Sequence, residues 1–203
     1  MEKEDYMKCK KRVIDLLKST GIEDMDYFIE ELEKSGYFKA PASMKNHLCF
    51  EGGLMCHSLN VYDAAIKLKE TFMEERRDIF EKISDASIVV ASLLHDMCKS
   101  DLYFRRRNAA VEFGKAEWGT TYGNLPVGHG EKSVIMLLQM GLGLTDAEIC
   151  AICWHMGAWG VNQADGEEKN SYRAAEKLYP LMTLIHLADT IASKFTEREM
   201  LCS

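Results

Sequence analysis

The sequence holds only three prolines, no apolar stretch longer than the one around Ala86 to Leu94, and no surplus of positive charge. Each shortage excludes something. With so few prolines little interrupts a helix, and 47% hydrophobic with 28% charged residues is the composition of a folded domain, not of a disordered chain. The run from Ala86 to Leu94 is far short of the roughly 20 residues needed to span a bilayer. The charged start MEKEDYMKCKKR lacks the pattern of a signal peptide, so a cytoplasmic protein without membrane association is expected. A formal net charge of −7 argues against extended nucleic-acid binding, which draws its affinity from clustered cations. An anionic substrate then needs a local basic patch, and Arg105, Arg106 and Arg107 form one.

Seven cysteines, an odd set without disulfide-like spacing, are expected to be reduced. Cys150 and Cys153 make a lone CxxC with no second pair, which reads as a packed helix face ahead of a zinc or redox site. The twelve methionines fall at helical core positions and read as packing filler. No internal repeat, low-complexity tract or linker divides the chain. At 203 residues a single domain can bury roughly 70% of the surface its unfolded chain exposes, so a real core forms without staples.

What is present is helix. Asp5 to Ser19 carries Val13, Leu16 and Leu17 at helical spacing and stops at Gly21; Met25 to Lys34 repeats the pattern and stops at Gly36. After a loop around Ala40 to Asn46, Leu54, Val61, Ala65 and Leu68 line one face of a long helix that also carries His57. Ser84 or Asp85 caps the next helix, in which Ile88, Ala91 and Leu94 point inward with His95. Gly130 to Met140 forms another, with His129 at its start. Thr145 and Glu148 form a capping box opening a helix whose Ile149 and Ile152 lead to His155. Pro180 starts the last helix, with Asp189 at the edge of its apolar stripe. Tyr103 to Val127 differs: it is glycine-rich, lacks a helical period, and reads as a loop with a short hairpin covering a pocket.

His57, His95, Asp96, His129, His155 and Asp189 therefore lie on or beside apolar helical segments. An imidazole or carboxylate turned into a core loses hydration worth several kcal/mol, and a divalent cation replaces it for all six together. The intervals are 38 residues from His57 to His95, 33 from Asp96 to His129, 26 to His155 and 34 to Asp189. These are not the short spacings of a zinc finger but those of ligands drawn from different helices of a bundle.

The order H…HD…H…H…D, with LLHDMCK at Leu93 to Lys99 and LIHLAD before the last aspartate, resembles the HD-domain metal-dependent phosphohydrolase superfamily from about Pro41 to Lys194. The segment APASMKNHLCFEGGLMCHS is similar to the start of the HD domain of bacterial three-prime exoribonucleases. The resemblance implies an all-α HD bundle in one domain over 1–203, with a helical hairpin at 1–36 packed on an HD core of 41–195. It implies that His57, His95, Asp96 and Asp189 hold one divalent transition metal (manganese, iron, cobalt, nickel or zinc), and that His129 and His155 complete a second site with Asp96 bridging. Two such cations would share a water and lower its pKa, and the hydroxide so formed would attack a phosphate ester of a small molecule, a nucleotide being the leading candidate. Asp96 and Lys99 are then the catalytic pair, with Lys99 also binding a phosphate oxygen beside Arg105, Arg106, Arg107 and, in the loop before the long helix, His47. His186 reads as core or as support for a ligand. Trp118 and Tyr122 either stack on a base or anchor their loop. The same ligand order also fits a di-iron oxygenase of the myo-inositol oxygenase type, and a nucleotide-binding module without turnover is the non-enzymatic alternative.

Overall fold

The computed structural model describes residues 1–106, 116–122, 125–162 and 164–197. It is an all-α bundle carrying, among the described residues, one small two-stranded sheet. α1 (Lys3–Ser19) and α2 (Met25–Lys34) follow one another and are in contact. α3 (Gly53–Phe72) and a single turn, α4 (Arg77–Phe80), lead to α5 (Asp85–Leu94). The short α6 (Lys99–Leu102) runs into β1 (Tyr103–Arg105), which pairs antiparallel with β2 (Trp118–Thr120) in the register Phe104 to Gly119. α7 (His129–Gln139), α8 (Asp146–Cys153), α9 (Gly166–Leu178) and α10 (Pro180–Ile191) complete the bundle, and α10 continues as a π-turn over Ala192–Thr196.

α5 is the axis of the molecule because it is apolar all round: every residue from Ile88 to Leu94 is buried, and α1, α3, α8 and α10 pack around it. Ser84 caps its start by accepting the Ser87 amide at 3.0 Å. At its other end the buried Tyr37 hydroxyl donates to the Leu93 carbonyl at 2.7 Å, one of the acceptors a helix terminus leaves open. Val13, Leu17 and Leu32 of the N-terminal pair belong to the same buried cluster as Leu54, Leu93 and Ile185. The Arg12 guanidinium grips Asp63 of α3 across that junction.

α9 is a helix that the apolar periodicity did not announce. Only its Ala175 is buried, so no stripe exists to read; its start is marked instead by Asp165, whose carboxylate accepts the Glu167 and Glu168 amides. The cysteine expectation also needs correcting. Cys9, Cys56, Cys98, Cys150 and Cys153 are free thiols, but Cys49 is disulfide-bonded. A disulfide is decided by the approach of two chain segments, which spacing along the sequence does not report. Among the described residues no helix is long and apolar enough to cross a membrane.

Candidate metal centre

The Asp96 carboxylate organises the site. It lies 3% exposed in the turn that follows α5, with its two oxygens facing different partners. Oδ2 is 3.5 Å from His57 Nε2 and 3.3 Å from His95 Nε2, while Oδ1 is 2.6 Å from His129 Nε2 and 3.5 Å from His155 Nε2. Asp189, near the C-terminal end of α10, closes the first set at 3.2 Å from His57 Nε2. All six side chains singled out in the sequence therefore converge.

The histidine orientations have local causes. His95 and His155 each stand one or two residues beyond the end of a helix, α5 and α8, and each donates Nδ1–H to a carbonyl three residues back: Ser92 O at 2.9 Å and Ile152 O at 2.7 Å. A carbonyl only accepts, so the proton is on Nδ1 and Nε2 is a bare lone pair in each neutral ring. Both Nε2 atoms are buried without a hydrogen-bond partner, although an Asp96 oxygen is 3.3–3.5 Å away. Lone pairs of imidazole and carboxylate facing each other across a dry gap are repulsive unless a cation lies between them. The donor set and these two orphaned nitrogens fit a divalent transition metal.

Two close contacts press this geometry together. A β-carbon on Gly130 would lie 2.0 Å from the Cys153 carbonyl, so the start of α7, and His129 with it, reaches the end of α8 only because that residue has no side chain. Gly157, at φ +60°, similarly admits the His186 ring, whose Nδ1 donates to the His155 carbonyl at 2.7 Å. His186 thus supports the backbone of His155.

Charge is tightly coupled here. Burial works to raise the Asp96 carboxyl, but the Lys99 ammonium, 2.5 Å from Oδ2, and the surrounding imidazoles hold it well below the usual range. Burial alone would discharge Lys99; Asp96 outweighs it and raises the lysine pKa. Burial also lowers His57, yet the hydrogen bonds its ring donates to Asp189 and Glu197 overcome it and push the ring up to about 9. In His129, Asp96 and Cys98 overcome the same penalty and push it up to about 10, whereas in His155 burial prevails and keeps the ring neutral.

Two neighbours of the cluster carried no sequence signal. Cys98 Sγ is 3.2 Å from His129 Nδ1, and Asp96, Cys98 and His129 form one of four groups among the described residues whose donor atoms lie within 4.8 Å of one another and have the composition to hold a metal ion. Glu197, fully buried beyond α10, is the other. His47 reaches the site as well, its ring stacked on His57 at 5.4 Å between centroids.

The arginines lie elsewhere among the described residues. Arg105 pairs with Glu117 at 2.7 Å and approaches Glu51 at 3.9 Å; Arg106 donates to the Trp118 carbonyl and covers the Phe104 ring. Arg107 lies outside the described residues. Trp118 is buried in the second strand of the small sheet, while Tyr122 is 82% exposed at the rim of a cleft of about 210 Å³. That cleft runs over Leu125, Pro126 and Val127 to Cys98 and His129, so the irregular segment does wall a pocket beside the cluster.

Over 108 residues, half of this chain, the sequence is 31% identical to a dihydroneopterin 2′,3′-cyclic phosphate phosphodiesterase of Methanocaldococcus jannaschii. The chain spans about 39% of that relative's length. No family model matches the chain, and no solved structure matches it.

Proposed function

We propose that this chain is a metal-dependent phosphohydrolase of the HD superfamily that cleaves a phosphate ester of a small molecule, a nucleotide or a similar cyclic phosphodiester. The observation that carries the reading is the division of Asp96, with Oδ2 turned to His57 and His95 and Oδ1 to His129 and His155. A carboxylate so divided is suited to bridge two cations, one held with His57, His95 and Asp189, the other with His129 and His155. The phosphodiesterase relative supports the same reaction class.

Bound there, divalent cations supply Lewis-acid polarisation of a phosphoryl oxygen and a water acidified toward neutral pH. The chain's own residues prepare the rest. Lys99 stays charged against its burial because it rests on Asp96, and its ammonium, partly exposed to the site, holds a phosphate oxygen as a point charge. His47, beside His57, lines the approach for the same substrate. Tyr122, Leu125 and Val127 receive its organic portion in the adjoining cleft. Arg105 and Arg106 are assigned to a more distant part of the substrate; Arg107, outside the described residues, keeps the phosphate-binding role expected from the sequence.

The test is turnover by the manganese-loaded chain on phosphomonoesters, nucleotides and 2′,3′-cyclic phosphodiesters. Hydrolysis of at least one substrate is expected, abolished by chelation, restored by manganese, and absent in Asp96→Ala. A chain carrying stoichiometric metal that is inert across the panel, or an iron-loaded chain that consumes dioxygen, overturns the proposal.

A further inference from the structure

We infer that Glu197 is a positioning residue for the metal centre, a buried carboxylate that fixes the tautomer and orientation of His57. The inference rests on the reading of His57 as a ligand. Glu197 Oε1 accepts His57 Nδ1–H at 2.9 Å and Asn60 Nδ2–H at 3.0 Å. With Nδ1 protonated toward Glu197, the lone pair of His57 is on Nε2, the atom facing Asp96 and Asp189. His95 and His155 obtain this orientation from backbone carbonyls at the ends of their own helices. His57 lies early in α3, where the carbonyls are occupied by the helix, so its partner has to come from another segment.

The backbone bends to deliver that partner. Eight residues separate Asp189 from Glu197, and in a regular α-helix they would leave Glu197 about 80° round the axis from Asp189. Over Ala192–Thr196 the helix is π, and the Glu197 amide donates to the Ala192 carbonyl five residues back at 3.0 Å. The π-turn absorbs one residue, so Glu197 falls as a seventh residue would, about 20° from Asp189 and on the same face. Such an insertion costs helix geometry, and here its consequence is a fully buried carboxylate against a ligand.

His47, His57 and Glu197 also have the composition of a separate metal group. That use would require His57 to lose its Nδ1 proton as well, leaving an imidazolate between two sites; an acceptor carboxylate needs no such step. The second oxygen, Oε2, is buried without a hydrogen-bond partner and lies 3.5 Å from Nδ1 of His47, whose ring stacks on His57.

Cobalt titration of the metal-stripped 203-residue chain tests this, followed by visible absorption. Glu197→Gln keeps the shape and removes the charge; it is expected to weaken cobalt binding about 10–100-fold with helical circular dichroism unchanged. In the zinc-loaded chain the His57 Nδ1–H proton resonance is expected far downfield, and to move upfield in the variant, a change that loss of packing alone does not produce. Asn60→Ala, which leaves the carboxylate but frees it on one side, is expected to weaken binding a few-fold and decides the matter if Glu197→Gln does not fold. Cobalt affinity within twofold of wild type in whichever folded variant is used, or a His57 resonance that does not move in Glu197→Gln, overturns the inference. A wild-type chain that takes up no cobalt overturns the metal reading instead.

Discussion

Four imidazoles point Nε2 at one carboxylate, and the proton bookkeeping of those rings sets the chemistry of the empty-handed chain. Without a cation, His57 and His129 are imidazolium at neutral pH, because the carboxylates beside them overcome burial and push them up to about 9 and 10. A metal ligand must be neutral, so loading displaces these protons. We expect up to about two protons released per chain when cobalt or zinc binds at pH 7. Affinity should fall as pH drops, since both groups bind protons more completely below their raised pKa values. Calorimetry in buffers of different ionisation enthalpy measures the release; an apparent enthalpy independent of buffer would contradict it. His95 and Asp96 were legible in the sequence because an apolar helix runs straight into them. Glu197 was not, since its place depends on a π-turn that no side-chain pattern encodes, and Cys98 sits beside His129 through a contact between distant segments.

Helix ends, more than helix middles, build this site. The capping box was readable in advance, and both bonds form: Thr145 N–H donates to Glu148 at 2.8 Å, and Thr145 Oγ1 accepts from the Glu148 amide at 3.3 Å. Thr145→Ala should cost about 1 kcal/mol, seen as a lower thermal midpoint with metal stoichiometry unchanged. Gly130→Ala is expected to be worse for function. Its methyl group meets the Cys153 carbonyl at 2.0 Å, so α7 must shift away from α8, at about 1–3 kcal/mol and with His129 displaced. On the proposed two-cation reading, the expected signature in that variant is one metal fewer per chain than in wild type, measured by elemental analysis. The lone CxxC behaves as packing: burial raises both thiols, Cys153 to about 12, which leaves little thiolate at pH 8. Both should alkylate more slowly than a free cysteine under native conditions.

The proposed ligands span the bundle, from α3 through the end of α5, α7 and α8 to α10. A cation bound only by the folded state therefore stabilises every helix at once. At a free metal concentration about 100 times the dissociation constant, linkage adds about 2.7 kcal/mol. For a chain of this length that corresponds to roughly 5–10 °C in thermal midpoint. Chelation should remove this increment from wild type and leave Asp96→Ala unaffected, as scanning calorimetry will report. The N-terminal helical pair shares the buried cluster of the core, so its unfolding is expected in the same transition.

The sequence by itself determined most of the helical segments, with α9 the exception, where most of them begin and end, and which six side chains lie on or beside inward stripes. Those features follow from propensity, capping and periodicity acting over four or five residues. Tertiary structure alone decided that Asp96 turns one oxygen to each pair of histidines, that Arg105 turns to Glu117 and Glu51, and that Glu197 lies behind His57. Each of these is a contact between segments far apart along the chain, set by how helices pack and by where a glycine or a π-turn lets them approach.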